Sequence, residues 1–193
     1  MPMPGTHLTE GAEPISEAVS RPPPISIEEL FREHAAAISS LGLGMLQNAQ
    51  EADDLVQDVF LRAWRALDRL RDREGAKPWL MTIAIRLART RLRRRKLTRL
   101  LFRVDEPAIE RAAAPGSLPE HRDLVQHLYR VLDQLPVELR IAWVLRYVQE
   151  ETVQNVADLC GWSLSTAKRR IQVADSRVTA RLNIKAAGIR ELP

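Results

Sequence analysis

Hydrophobic residues recur at helical spacing along most of this chain, most clearly between positions 51 and 70. When that segment is wound at 100° per residue, its apolar side chains fall within one broad arc, which predicts a helix with a buried face. The predicted buried residues are Leu55, Val56, Val59, Phe60, Ala63, Ala66, Leu67 and Leu70. Leu61 lies on the opposite face with Trp64 at its border, so it is either incidental or part of a docking surface. The polar residues around it are Asp54, Gln57, Asp58 and Arg65.

The next periodic segment, residues 78–97, begins with Pro78, which suits a first helical turn. Its apolar residues cover most of the circumference, which predicts a largely buried helix. From Arg86 to Arg103 there are nine basic residues and no acidic one. A solvated charged face normally mixes both signs, whereas unrelieved positive charge favours contact with a polyanion such as nucleic acid. Four of the cations project along one stripe: Arg86, Arg89, Arg93 and Lys96.

The same patterns divide the chain into two helical units. Residues 1–25 are rich in proline and glycine and predict a disordered tail. A first domain is expected over 26–96, with Ser26 as an N-cap and with Gly42 and Gly44 ending its first helix. Residues 97–121 contain three prolines and predict a linker, followed by a second domain over 122–185 and a tail over 186–193. The predicted fold is all-α: two small helical domains joined by a flexible linker.

The second domain contains the pattern of a helix-turn-helix. A helix over about 152–159 is followed by a tight turn at Gly161, which accepts positive φ, and Ser163 offers an N-cap to a second helix. Ala157 is small enough for the two helices to approach closely. The predicted inward residues of the second helix are Leu164, Ala167, Ile171, Ala174 and Val178. Its outward residues, of types that reach base edges and phosphates, are Ser165, Thr166, Arg169 and Gln172, with Val173 among them and Lys168 and Arg170 on the flanks.

Composition and residue spacing limit the functions and partners that can be expected of this chain. The formal charge is only +4, but basic residues concentrate at 86–103 and 168–181 and acidic ones at 51–58 and 105–110, which suggests two kinds of partner. Cys160 is the only cysteine, so neither an internal disulfide nor a cysteine zinc site is possible. The sequence has no Walker loop, no nucleophile–base pairing and no compact metal-ligand spacing, so no enzyme, metal or cofactor is expected. It also has no membrane-length apolar run and no signal-peptide pattern, which predicts a cytoplasmic protein.

Together the two units resemble the extracytoplasmic-function (ECF) group of bacterial RNA polymerase sigma factors, in the sigma-70 superfamily. ADDLVQDVFLRAWRAL followed by PWLMTIAIRLARTRLRRRK is similar to region 2 of that family. LDQLPVELRIAWVLRYVQEETVQNVADLCGWSLSTAKRRI is similar to region 4. The resemblance implies an alternative sigma factor that binds core RNA polymerase and promoter DNA and directs transcription initiation, and that is itself commonly held by an anti-sigma factor. The linker would then run through polymerase near the nascent RNA.

The resemblance also implies roles for particular residues. The helix predicted over 51–70 (the acidic helix) would dock on core polymerase through Asp54, Gln57, Asp58, Leu61 and Arg65. The −10 element, melted and captured as a single strand, would be bound by the helix predicted over 78–97 (the arginine helix) and the loop before it: Lys77, Trp79, Arg86, Arg89, Arg93 and Lys96. The −35 element would be read as duplex by the helix-turn-helix: Ser165, Thr166, Lys168, Arg169, Arg170 and Gln172.

The chain departs from the family pattern at three positions. Asn155 stands where the family usually has glutamate, and Val173 and Asp175 stand where it usually supplies further arginines. An outward valine and an added carboxylate predict weaker phosphate contact in the second half of the recognition helix. Val173 and Asp175 leave open a sigma-like polymerase-binding protein that no longer reads promoters. A second alternative, a stand-alone helix-turn-helix regulator, would use the second domain alone and leave Leu61 and the arginine stripe unexplained.

Overall fold

A computed structural model describes residues 25–70, 72–102 and 119–189, and this part of the chain is all-α. Seven helices and one short 3-10 turn account for it, without a β-strand in these ranges. Residues 1–24 of the predicted tail and most of the predicted linker lie outside the described residues. Residues 186–189 of the predicted C-terminal tail are helical, and the domain limits at 26–96 and 122–185 stay predictions. The elements are α1 (Ile27–Leu46), α2 (Ala49–Arg65), a 3-10 turn (Leu67–Arg69), α3 (Ala76–Phe102), α4 (Pro119–Asp133), α5 (Val137–Tyr147), α6 (Val153–Cys160) and α7 (Leu164–Ile189).

The two glycines of α1 do not end the helix, contrary to the expectation from sequence. α1 continues through both and ends at Gln47, which takes the left-handed conformation with φ 59°. A Cβ on Gly42 would lie 3.1 Å from Ala52 Cα on α2, and one on Gly44 would lie 2.9 Å from Val144 Cγ1 on α5. The glycines are therefore places where other helices cross α1 closely, which a local reading of helix-breaking residues does not reveal.

The buried face predicted for the acidic segment is confirmed within α2. Asn48 caps the helix by accepting a 2.9 Å hydrogen bond from the Glu51 amide. The five predicted core residues that lie inside α2 are all buried: Leu55, Val56, Val59, Phe60 and Ala63. The remaining three follow the helix end at Arg65 and are half-buried around the 3-10 turn: Ala66, Leu67 and Leu70.

The arginine helix is longer than predicted at both ends. α3 begins at Ala76, so Lys77 and Trp79 belong to its first turn and not to a loop. The turn before it is fixed by Asp72, whose Oδ1 accepts a 2.6 Å hydrogen bond from the Gly75 amide. At the other end, residues 97–102 are helical and not part of a linker. No proline or glycine occurs between 79 and 102 and most of these residues are good helix formers, so nothing stops the helix at the end of its apolar period.

The helix-turn-helix is confirmed at α6 and α7. The Thr152 side chain caps α6, Gly161 ends it with φ 66°, and Ser163 Oγ accepts a 3.3 Å hydrogen bond from the Thr166 amide at the start of α7. Among the predicted inward residues, Leu164 is wrong, because it is 51% exposed. It is the first residue of α7 and precedes the part of the helix that packs on α6 and α5. The other four are buried: Ala167, Ile171, Ala174 and Val178.

The described chain packs as two halves, α1–α3 and α4–α7, which share one hydrophobic core. α1 and α3 of the first half contact α5, and α3 also contacts α6. Arg140 of α5 is only 3% exposed and donates 2.8 Å hydrogen bonds to the carbonyl oxygens of Met45 and Leu132. Gln47 Nε2 donates a 2.9 Å bond to the Tyr129 carbonyl. The helices of the second half therefore lie directly over the end of α1 and along the arginine helix.

Candidate polymerase and nucleic-acid interfaces

The outer face of α2 carries an exposed apolar pair. Leu61 is 45% exposed and Trp64 is 62% exposed, on a helix whose other large apolar side chains are buried. Gln57 and Arg65, two of the predicted docking residues, are exposed beside them. Trp64 was left at the border of the buried face by the sequence pattern. Its exposure adds a large apolar side chain to the predicted docking surface.

The two acidic residues of the predicted docking set are half-buried. Asp58 Oδ2 accepts a 2.6 Å hydrogen bond from Arg91 Nη2 on α3, and Asp54 Oδ1 accepts a 3.4 Å bond from Gln50 Nε2. Arg95 pairs with Glu51 in the same way and also donates to the Leu46 carbonyl. The arginines of α3 therefore lie on two faces of the helix. One face pairs with acidic residues of α2, and the other carries the predicted stripe.

The stripe itself is only partly open to solvent. Arg86, Arg93 and Lys96 are exposed, as a nucleic-acid contact requires, whereas Arg89 is half-buried. Arg93 Nη2 donates a 2.6 Å bond to Glu138 Oε1 on α5, and Arg89 Nε lies 3.4 Å from Glu138 Oε2. The sequence predicted that the four cations share a face, and it gave no sign that a carboxylate of the second half pairs with Arg89 and Arg93 in the middle of that face.

The first turn of α3 lines a cleft against α6. Lys77 and Trp79 contribute one wall and Asn155 and Asp158 the other, around a volume of about 460 Å³. The lysine is exposed and the tryptophan half-buried. Both candidate −10 residues at this end of α3 therefore line a cleft whose other wall belongs to the second half of the chain.

The predicted DNA-reading residues of α7 divide into two groups. Thr166 is half-buried and its Oγ1 accepts a 2.8 Å hydrogen bond from Ser163, so it serves the helix start. Arg170 is also half-buried, with its guanidinium carbon 4.1 Å from the centre of the Trp162 ring. The residues that project into solvent are Ser165, Lys168, Arg169 and Gln172.

Two of the three departures from the family pattern have partners in the structure, and the third is half-buried. Asn155 Nδ2 donates a 2.8 Å bond to Glu151 Oε2, within α6 and the turn before it. Val173 is half-buried and not fully outward. Asp175 faces Tyr147 of α5, whose pKa is raised first by burial and then by this carboxylate. Asp175 thus makes a contact inside the second half, which accounts for an acidic residue on this helix.

Cys160 is a buried side chain and not an exposed thiol. Burial raises the pKa of its thiol to about 12, so very little thiolate is present near neutral pH. Among the described residues there is no group of three or more histidine, cysteine or acidic side chains placed to hold a metal ion. Within the same residues, no helix has the length and apolar character needed to cross a membrane.

Comparison with known proteins agrees with this architecture. Residues 30–98 match the family described as Sigma-70 region 2, and residues 126–174 match Sigma-70, region 4. The chain is 32% identical over 145 residues to the RNA polymerase sigma factor CarQ of Myxococcus xanthus, covering 75% of this chain and 82% of that one. It is 29% identical over 155 residues to the ECF RNA polymerase sigma factor EcfG of Rhodopseudomonas palustris, covering 79% and 84% of the two chains.

A solved structure has the same fold. The sigma factor RpoE of Bartonella quintana, crystallised with the anti-sigma factor NepR, superposes with a TM-score of 0.66 at 24% identity, covering 81% of this chain and 96% of that one. The chain belongs to the sigma-70 family of RNA polymerase sigma factors, in its ECF group. It is an alternative sigma factor that acts in promoter recognition and transcription initiation. The family is not known for catalysis.

Proposed function

We propose that three separate surfaces divide the work of this sigma factor. The outer face of α2 around Leu61 and Trp64 docks on core RNA polymerase, the α3 stripe binds the −10 element, and α7 reads the −35 element. The observation that carries the proposal is the row of Lys168, Arg169 and Gln172, which projects into solvent from a helix-turn-helix while a second cationic row lies on a different helix. Two cationic surfaces and one apolar surface correspond to two DNA elements and one protein partner.

The −10 surface suits a melted strand. Cations at Arg86, Arg89, Arg93 and Lys96 follow one line along α3, which would track a phosphate backbone. Trp79 at the start of the helix offers an aromatic face beside the 460 Å³ cleft, and an unpaired base can stack on such a face. Because α3 is largely buried, it cannot insert into the major groove of a duplex, whereas a single DNA strand can lie along its stripe of cations.

The proposed polymerase partner distinguishes this function from its alternatives. A stand-alone helix-turn-helix regulator has no use for Leu61 and Trp64, which together leave a large apolar area exposed. A sigma-like protein that no longer reads promoters is supported only by Val173 and Asp175, and both have partners or burial within the second half. We further propose that the protein has no catalytic activity of its own, works in the cytoplasm and is held by an anti-sigma factor, as in the RpoE–NepR complex and in the complex of CnrH with the cytosolic domain of CnrY.

Transcription from genomic fragments tests the proposal directly. Purified core polymerase is supplied with and without this protein, and new start sites are mapped. We expect starts that share two upstream elements at −35 and −10. Polymerase binding without any start would favour the promoter-blind alternative, and DNA binding without polymerase binding would favour the stand-alone regulator.

Substitution of Arg169 tests the −35 assignment at one residue. Arg169 is exposed on the outward side of α7, so Arg169→Ala is expected to weaken binding to the mapped −35 duplex by about 1–3 kcal/mol. Arg177 is exposed two turns further along the same helix, and Arg177→Ala is the control that removes an equal charge. Fluorescence anisotropy on the promoter duplex and on a scrambled duplex measures both. An equal loss for Arg169→Ala on both duplexes would contradict base reading and leave a phosphate contact.

A further inference from the structure

One carboxylate from the second half engages arginines of both proposed DNA-binding surfaces. Glu138, near the start of α5, accepts the 2.6 Å bond from Arg93, and its Oε2 lies 3.4 Å from Arg89 Nε and 3.9 Å from Arg170 Nη1. Arg89 and Arg93 belong to the α3 stripe, and Arg170 belongs to the recognition helix α7. The closed arrangement of the two halves therefore occupies part of each surface at the same time.

Trp162 fixes the direction of two of these arginines. Its ring lies in the turn between α6 and α7, with the Arg170 guanidinium carbon 4.1 Å from the ring centre and that of Arg89 5.7 Å away. Both distances are within the range of cation–π attraction. The ring thus holds a cation of α3 and a cation of α7 towards the junction between the halves, beside Glu138.

The cluster is incompletely satisfied. Arg89 Nε and Nη2, Arg170 Nη1 and Glu138 Oε2 are buried without a hydrogen-bond partner among the described residues. Three guanidinium groups face one carboxylate, so two positive charges stay uncompensated by Glu138. Buried charges with incomplete hydrogen bonding are costly, and the excess charge favours a further anion. A phosphate backbone supplies both the hydrogen-bond acceptors and the negative charge that this cluster lacks.

We propose that Glu138 takes the place of a DNA phosphate in the free protein and keeps the two halves closed in a self-inhibited form. Separation of the halves uncovers Arg89 and Arg170 and frees the exposed Arg93 from its carboxylate partner, and DNA phosphates then replace that carboxylate. This inference rests on the proposed function, because it takes the three arginines to be DNA contacts. It adds that promoter DNA competes with an internal acidic group for them.

The first test removes the carboxylate charge while keeping its shape. Glu138→Gln is compared with Glu150→Gln, which removes the same charge at an exposed position just after α5. Binding to a fluorescent random-sequence duplex is measured without polymerase, and the radius of gyration of each free protein is measured by X-ray scattering. We expect Glu138→Gln to bind about tenfold more tightly than Glu150→Gln, because the open fraction rises, and to be more extended. Equal affinity and equal size of the two variants would overturn the proposal.

The second test locks the halves together without touching the cluster. A Cβ at Gly44 would lie 2.9 Å from Val144 Cγ1, so the substitutions Gly44→Cys and Val144→Cys place two thiols within bonding reach across the α1–α5 contact. The pair is introduced with Cys160→Ala to leave no other thiol. The oxidised protein is expected to lose binding to the same duplex at least tenfold, and reduction is expected to restore it. Undiminished binding by the oxidised protein would overturn the proposal even if Glu138→Gln failed to fold.

The transcription experiment separates the two possible failures. If the wild-type protein gives promoter-specific starts while Glu138→Gln behaves as Glu150→Gln does, the internal competition is wrong and the sigma function stands. If neither the wild type nor any variant binds DNA or gives starts, the proposed function is wrong, and the inference about Glu138 falls with it.

Discussion

Leu61→Asp is expected to weaken binding to core RNA polymerase by roughly a hundredfold, or about 2–3 kcal/mol. Leu61 is 45% exposed on α2 beside the still more exposed Trp64, so it contributes little to the core of the free protein. Burial of an exposed leucine by polymerase contributes favourable hydrophobic free energy to binding. An aspartate at the same place would lose its hydration in the interface without gaining a hydrogen-bond or ion-pair partner. Titration of fluorescent protein with core polymerase measures the loss.

Two further variants make that result specific to the docking surface. Leu124 on α4 is 60% exposed, and Leu124→Asp introduces the same charge on an exposed leucine of the second half. Leu61→Met keeps the apolar contact and is expected to bind within a few fold of the wild type. Circular dichroism is expected to be the same for all three variants. Wild-type affinity for Leu61→Asp would remove α2 from the polymerase interface.

Arg140→Met is expected to lower the free energy of unfolding by about 3 kcal/mol. The guanidinium is buried and joins three groups: the carbonyl oxygens of Met45 and Leu132 and the carboxylate of Asp133, at 2.7 Å. Burial favours a raised pKa for Asp133, but the charges and hydrogen bonds of Arg140 and Arg99 outweigh it and lower that pKa. Methionine fills the space and supplies none of these bonds, so buried acceptors lose their partner.

Thermal unfolding by calorimetry measures the effect, which corresponds to a melting temperature lower by about 6–12 °C in a chain of this size. Arg130→Met is the matched control, because Arg130 is exposed on α4 and its Nε donates a long, 3.4 Å hydrogen bond to the Gln126 carbonyl. It is expected to change stability by less than about 0.5 kcal/mol. Equal losses of stability for the two substitutions would show that Arg140 does not stabilise the packing of α1, α4 and α5.

Much of the candidate site could be predicted because its signals are local. The exposed position of Leu61 and the shared stripe of Arg86, Arg89, Arg93 and Lys96 follow from helical spacing alone. Gly161 and Ser163 predicted the turn and the cap of the helix-turn-helix for the same reason, since both act within a few residues. The error at Leu164 arose because periodicity assigns a face but does not say where along a helix its neighbour stops.

What the sequence by itself determined about this protein is therefore the set of helices, their buried faces and the two rows of cations, because each depends on residues three or four positions apart. Only the tertiary structure decided which charges are available. Arg93 and Glu138 are 45 residues apart in the chain and meet through the packing of α5 on α3. Gly44, which looked like a helix end, is a crossing point with Val144 for the same reason. Contacts between distant segments depend on how whole helices pack, and no local pattern specifies that packing.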